Sequence, residues 1–278
     1  MRKYHTVKLI QLFFIIQLLP IQVFAQFFDH PSTVLDSANL SITYALAWKQ
    51  DTNHLEKVRQ EDMILLLGKK TSLFMSKNLQ QFILSGRKAE REGRLNDFFS
   101  GGEINNFRTR YSYTIFKNYP VGRITYTDKV IPSFLQYDED MDVFEWQLTN
   151  LVDTIGDYLA HCAYTEYGGR QWVAWYTTDI PLNDGPYKFR GLPGLIIRLY
   201  DKQNHYTFDM IKMERTDEAI LIEYMDMGWV QTSRNDFLKA QENFKLDIIN
   251  RAKEAGANSK SQQTALRNMI RKNNPIEF

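Results

Sequence analysis

Residues 158–178 read YLAHCAYTEYGGRQWVAWYTT. Two runs rich in aromatic and β-branched residues flank Gly168-Gly169, the pattern of a hairpin whose two-residue turn needs positive φ at both positions. With those glycines as the turn, the register follows. Cys162 faces Trp175, Tyr164 faces Val173, His161 faces Tyr176, and successive pairs point to opposite faces. The same grammar recurs on both sides. Residues 41–48 alternate, with Ile42, Tyr44, Leu46 and Trp48 on one face. Runs 63–67 and 72–75 meet across Gly68-Lys69-Lys70, and 195–200 meets 206–210 across residues 201–204. Shorter strand-like runs occupy 111–115, 123–127, 133–137, 144–148 and 219–224. Helical spacing shows twice. Leu79, Phe82, Ile83 and Leu84 predict a surface helix over 77–95 that frays at Gly93. Phe237, Leu238, Phe244, Ile248 and Ile249 predict another, capped by Thr232 or Ser233. Strands follow strands, so parallel βαβ folds are excluded in favour of a mainly β fold. The expected architecture is an antiparallel sheet, curved or partly closed, with one or two covering helices as a minor α+β component.

The 278 residues carry 34 basic and 33 acidic side chains, 14% aromatics and a single cysteine. Such a chain has ample apolar surface to form a core, so disorder is excluded. One cysteine excludes a disulfide framework and a Cys-rich zinc site. Near-neutral charge argues against nucleic-acid binding. At the start, Arg2, Lys3 and Lys8 precede the apolar run 9–24, and Val23-Phe24-Ala25 offers small residues before a cut at Ala25. That is the layout of a signal peptide over 1–25. The run holds 16 residues and includes Gln11, Gln17 and Pro20, short of the roughly 20 apolar residues a membrane span needs. No later run is long enough to span. The expected product is exported, periplasmic or secreted. It has one β-rich domain over 26–256 and a polar, frayed tail over 257–278.

Residues 179–194, DIPLNDGPYKFRGLPG, break the pattern. A 16-residue connection between two clear strands is uncommon and tends to be functional or disordered. Ile180, Leu182, Tyr187, Phe189 and Leu192 give it apolar anchors, which argues for order. Leu192-Pro193-Gly194-Leu195 reads as a type II turn with Gly194 at positive φ.

With Leu195-Ile196, this segment resembles the signature of the GLPGLI family, exported proteins found mostly in the Bacteroidota. The resemblance takes in Cys162, Gly169-Arg170, Ala174-Trp175-Tyr176-Thr177, Ile180-Pro181, Gly185-Pro186, Lys188 and Phe189. It spans about residues 110–215. It implies secretion across the inner membrane, a β-rich domain and no established activity.

Candidate chemistry is sparse. A thiolate nucleophile needs a nearby base, but His161 and Cys162 are strand neighbours pointing to opposite faces, which reads Cys162 as core. The five histidines lack metal-ligand spacing, and Asp138–Asp142 lacks the Gly and Glu of a calcium loop, so it reads as a charged turn. No catalytic, cofactor or metal residue is assigned and no cofactor is implied. Strand-like alternation in the loop would place Lys188 and Arg190 on one side and Tyr187 and Phe189 on the other. The cations then either hold an anionic or peptide ligand or simply face solvent. The expected ligand or partner surface is Lys188, Arg190, Gly191, Leu192, Pro193 and Gly194, as a rim. The leading functional expectation is a non-catalytic envelope module binding a partner chain, peptide or amphiphilic ligand. The alternative is a periplasmic hydrolase or peptide-processing enzyme built around 179–194 with Asp179, Asp184, His161 and Cys162. A third is a purely structural assembly role.

Overall fold

The computed structural model describes residues 30–254, 256 and 260–278. The signal peptide expected over residues 1–25 lies outside the described residues. Twelve strands form one sheet: β1 (Ser32–Lys49), β2 (Val58–Leu67), β3 (Ser72–Ser76), β4 (Thr114–Lys117), β5 (Arg123–Val130), β6 (Ser133–Asp140), β7 (Gln147–Ile155), β8 (Tyr158–Tyr167), β9 (Arg170–Thr177), β10 (Leu195–Asp201), β11 (Tyr206–Met225) and β12 (Val230–Gln231). Their order is β12-β6-β5-β4-β3-β2-β1-β11-β10-β9-β8-β7. All neighbours are antiparallel except β12 and β6. The mainly β expectation holds, with more helix than expected. Helices α1 (Lys77–Arg91), α2 (Leu95–Ser100), α3 (Arg234–Glu254) and α4 (Lys260–Ile270) and a 3-10 turn over Glu103–Phe107 accompany the sheet.

The Gly-Gly hairpin forms as read. Gly168 and Gly169 have φ of 60° and 77°, and Cys162↔Trp175, Tyr164↔Val173 and His161↔Tyr176 are its register pairs. Alternation in β1 also holds: Ile42, Tyr44, Leu46 and Trp48 are buried in the main core with Leu65 of β2, Phe74 of β3 and Tyr126 of β5.

The sheet curls around that core. In a flat sheet β6 and β8 would stand nine strand steps apart, about 43 Å at about 4.8 Å per step. Yet the Tyr167 hydroxyl at the end of β8 donates to Glu139 of β6 at 2.7 Å. The strands do not close into a barrel, because no ladder joins β6 to β7 or β8. Helix α3 covers part of the opening, with Phe237 edge-on to Tyr126 (5.3 Å) and against Tyr137 (5.1 Å). Ser233 caps it by accepting from the Asp236 amide at 3.1 Å, a bond that satisfies one of its free N-terminal donors.

Four elements differ from expectation. The strand expected over 144–148 begins only at Gln147 and runs on to Ile155 as β7. The runs 206–210 and 219–224 are one strand, β11, which pairs with β1 along most of its length through three register shifts. Beyond Leu40, β1 leaves β2 and continues with β11 as a two-stranded arm. That arm folds over the outer face of the sheet, where Tyr224 packs on Phe116 of β4 (5.7 Å) and donates to Gln136 of β6 (2.6 Å). Asp138 to Asp140 belong to β6 rather than to a charged turn. Within the expected frayed tail, Lys260–Ile270 is helical and, beyond it, Asn274 and Glu277 are 4% exposed.

Among the described residues no helix is long and apolar enough to cross a membrane.

Candidate functional site

The 179–194 segment is not a rim. It turns inward and plugs the gap the curled sheet leaves open. Tyr187, Phe189 and Leu192 are buried, and Phe189 packs against Phe144 (4.8 Å), Trp172 (4.8 Å) and Tyr167 (5.7 Å). The expected strand-like alternation fails because Tyr187 takes a left-handed φ of 55°. One residue off the extended path turns both rings and the cation between them to the same side.

Lys188 is therefore 0% exposed. Its ammonium donates to the Tyr137 and Tyr167 hydroxyls (2.7 Å each) and to Glu139 (2.6 Å), and it pairs with Glu277 (2.6 Å). The rings of Tyr126, Tyr137, Tyr167 and Tyr187 surround it at 4.8–5.5 Å. Arg234 of α3 donates to Glu277 at 2.7 Å and lies 3.6 Å from Glu139. Burial pushes the Glu277 carboxyl up, but Lys188 and Arg234 outweigh it and hold it below the ordinary carboxylate range. With every donor of Lys188 committed inside, it is not a solvated cation, and the anions it holds are this chain's own Glu139 and Glu277.

A second buried pair sits at the start of the loop. Lys117 of β4, 1% exposed, donates to Asp184 (2.5 Å) and to the carbonyls of Gly185 (2.6 Å) and Phe189 (3.3 Å). Asp184 also accepts from Ser72 Oγ (2.6 Å) and its following amide (2.7 Å). Burial lowers the Lys117 pKa, and Asp184 opposes that shift. Sequence reasoning named Asp184 but missed Lys117, whose position in the short run TIFK reads as an ordinary strand end.

The type II turn expected at Leu192-Pro193-Gly194-Leu195 does not form: the Leu195 amide donates to the Ile180 carbonyl (3.0 Å) instead. Gly194 is not at positive φ; Gly191 is, at 100°. Gly194 instead lets the backbone approach β9, since a Cβ there would overlap the Thr177 carbonyl. Of the expected surface residues, Gly191 and Pro193 are exposed, Arg190 is half-buried, and Lys188, Leu192 and Gly194 are buried. Arg190 donates to the Met141 carbonyl (3.4 Å), and its own carbonyl accepts from Trp146 (2.7 Å).

The hydrolase candidates do not assemble. Asp184 is bound to Lys117 and Ser72, Cys162 is buried, Asp179 is exposed, and His161 packs on Tyr176 at 5.7 Å. No hydrogen bond joins any two of the four among the described residues. No cluster of three or more metal-ligating side chains occurs among them either.

An open cleft of about 1210 Å³ lies on the other face of the sheet, between α1, the 3-10 turn and the folded-over arm of β11. Its floor is apolar: Leu66, Leu73, Met75 and Phe116 from the sheet, with Leu79 and Ile83 from α1. These side chains belong to a core separate from the main one, because Ile64 and Leu66 alternate with Leu65 along β2. Charged residues stand around it. Lys77, Arg87, Arg108, Arg110 and Lys129 line it against Glu61, Asp62 and Glu223. Glu223 is bound to Arg87 at 2.8 Å, and Glu61 accepts from Ser76 (2.7 Å), Thr109 and the Arg110 amide (3.0 Å). The remaining balance is positive. Sequence reading missed this cleft because its walls come from four segments far apart in the chain.

Fold and sites together define a curled β-sheet with a buried, charge-stitched loop inside and an apolar cleft outside. Residues 169–198, which hold the Gly169-Arg170 turn, Asp184, Lys188 and the GLPG run, match a family described as "Protein of unknown function (Porph_ging)". No curated protein matches the chain. Among solved structures, it is similar to PNGF-II in two crystal forms. For the P21 form the TM-score is 0.50 at 11% identity, over 76% of this chain and 34% of that one. For the C2 form the values are 0.45 and 13%, over 74% and 33%. The chain thus spans about a third of the PNGF-II chain, and the likeness is one of fold alone.

Proposed function

We propose that this is an exported, GLPGLI-type envelope protein whose outer cleft binds an anionic amphiphile, the charged head lying among the rim cations. The observation that carries the reading is the cleft itself. Its volume of about 1210 Å³ exceeds the roughly 300–1,000 Å³ of typical small-molecule sites. It joins an apolar floor, which a long hydrocarbon chain would cover, to a basic surround that favours a negative head. Export rests on the basic start, the apolar run and Ala25, and on the resemblance carried by residues 110–215. The 179–194 segment supports the cleft from within as scaffold and contributes Gly191 and Pro193 to the surface.

Native mass spectrometry of the protein purified from its own cell envelope tests both parts. The expected species is a chain beginning at Gln26 and carrying a retained acidic amphiphile. A chain that keeps its first 25 residues would overturn the export reading. A retained protein partner in place of any amphiphile would overturn the ligand reading.

A further inference from the structure

Residues 274–278 are bound as a peptide is bound by a receptor. Each main-chain carbonyl from 274 to 276 meets a donor from the body of the protein. Tyr206 hydroxyl donates to Asn274 O (2.6 Å), Arg170 Nη2 to Pro275 O (2.5 Å) and Arg170 Nε to Ile276 O (3.1 Å). The Phe278 amide donates to Gly168 O at 2.9 Å. Side chains are read as well. Asn274 accepts from Arg170 (2.7 Å) and donates to Lys49 O (2.6 Å). Glu277 takes Lys188, Arg234 and the Tyr187 hydroxyl (2.5 Å). The Phe278 ring lies over the Arg170 guanidinium at 4.9 Å. Arg170 is itself aimed by Asp201 at 3.0 Å.

The receptor is shaped for close approach. A Cβ on Gly168 would stand 2.8 Å from the Glu277 side chain, and one on Gly169 would stand 3.2 Å from the Phe278 ring. So Gly168-Gly169 serves two purposes, the turn and the seat of the peptide. Gly169, Arg170, Tyr187 and Lys188 all fall in the matched segment 169–198. Main-chain pairing supplies affinity and side-chain pockets supply selectivity, the general logic of extended-peptide recognition.

We propose that the groove formed by the Gly168-Gly169 turn, Arg170, Lys188 and α3 is a binding site for an acidic peptide segment of the pattern Asn-x-x-Glu-aromatic. In cis it holds this chain's own tail, and in trans it accepts the same tail from a second copy. The tethered tail competes at high effective concentration, so free peptide reaches the groove only when the cis contacts are weakened.

The test uses full-length chains and a fluorescently labelled peptide with the sequence of residues 273–278, NNPIEF. On the Glu277→Ala chain, saturable binding about ten-fold tighter than to wild type is expected. A peptide with Gln in place of its Glu should bind about ten-fold more weakly. The Phe278→Ala chain is a second host that loses only a ring 61% exposed, and it should show the same ranking. Equal binding to all three chains would place the peptide elsewhere and overturn the proposal. So would absence of binding to a variant whose circular dichroism and melting match wild type.

Discussion

Lys188→Met will lower folding stability by about 3–5 kcal/mol, the range for removing one partner of a buried ion pair. The side chain is 0% exposed, so no water can replace its bonds. Its loss leaves Glu139 and Glu277, both 12% exposed or less, facing each other with Arg234 as their remaining cation. The acid limb of the stability curve should move too. Glu277 is held below its ordinary range in the folded protein. Its contribution is therefore present above the unfolded value of about 4.3 and is lost as pH falls through the lower folded value. Without Lys188 the folded carboxyl titrates closer to the unfolded one, so the acid-side loss becomes smaller and ends at a higher pH. Urea unfolding from pH 3 to 8 reads both effects. A change under about 1 kcal/mol would mean that Lys188 is hydrated in solution, contrary to the geometry.

Asp184→Ala should cost about as much, about 3–5 kcal/mol at pH 7, by stranding Lys117. Here the pH dependence lies on the alkaline side. Burial already lowers the Lys117 pKa, and Asp184 is the group that opposes it. In the variant the folded ammonium loses its proton more readily than the unfolded one, which titrates near 10.4. The folded state then binds fewer protons, so its stability rises with pH across that window and the deficit relative to wild type narrows. A deficit that stays constant from pH 7 to 10 would show that the two carbonyls alone hold Lys117 charged.

The hairpin register was legible because a period of two and a Gly-Gly turn leave one pairing. The continuity of β11 was not. Residues 211–218 read IKMERTDE; there β11 is paired on one side only, with β1, and no buried face forces alternation. The loop misled through its own apparent regularity. Tyr-Lys-Phe-Arg alternates on paper, but the positive φ at Tyr187 breaks the period. Glu277 was invisible because its partners lie 43 and 89 residues away, and only Pro275-Ile276 hinted that the polar tail had something to bury. Gly194 was rightly singled out, yet its need is for space against Thr177 rather than for a left-handed φ.

The proposed binding role of the outer cleft is tested most directly by calorimetric titration with dodecanoate. Wild type and the Leu221→Glu chain are compared below the amphiphile's micellar concentration. Leu221 lines the cleft and is 50% exposed, so a charge there is tolerated by the fold while repelling an anionic ligand. Saturable binding to wild type, weakened about ten-fold (about 1.4 kcal/mol) by the substitution, is the predicted result. No saturable binding to wild type, or equal binding to both chains, would contradict the account.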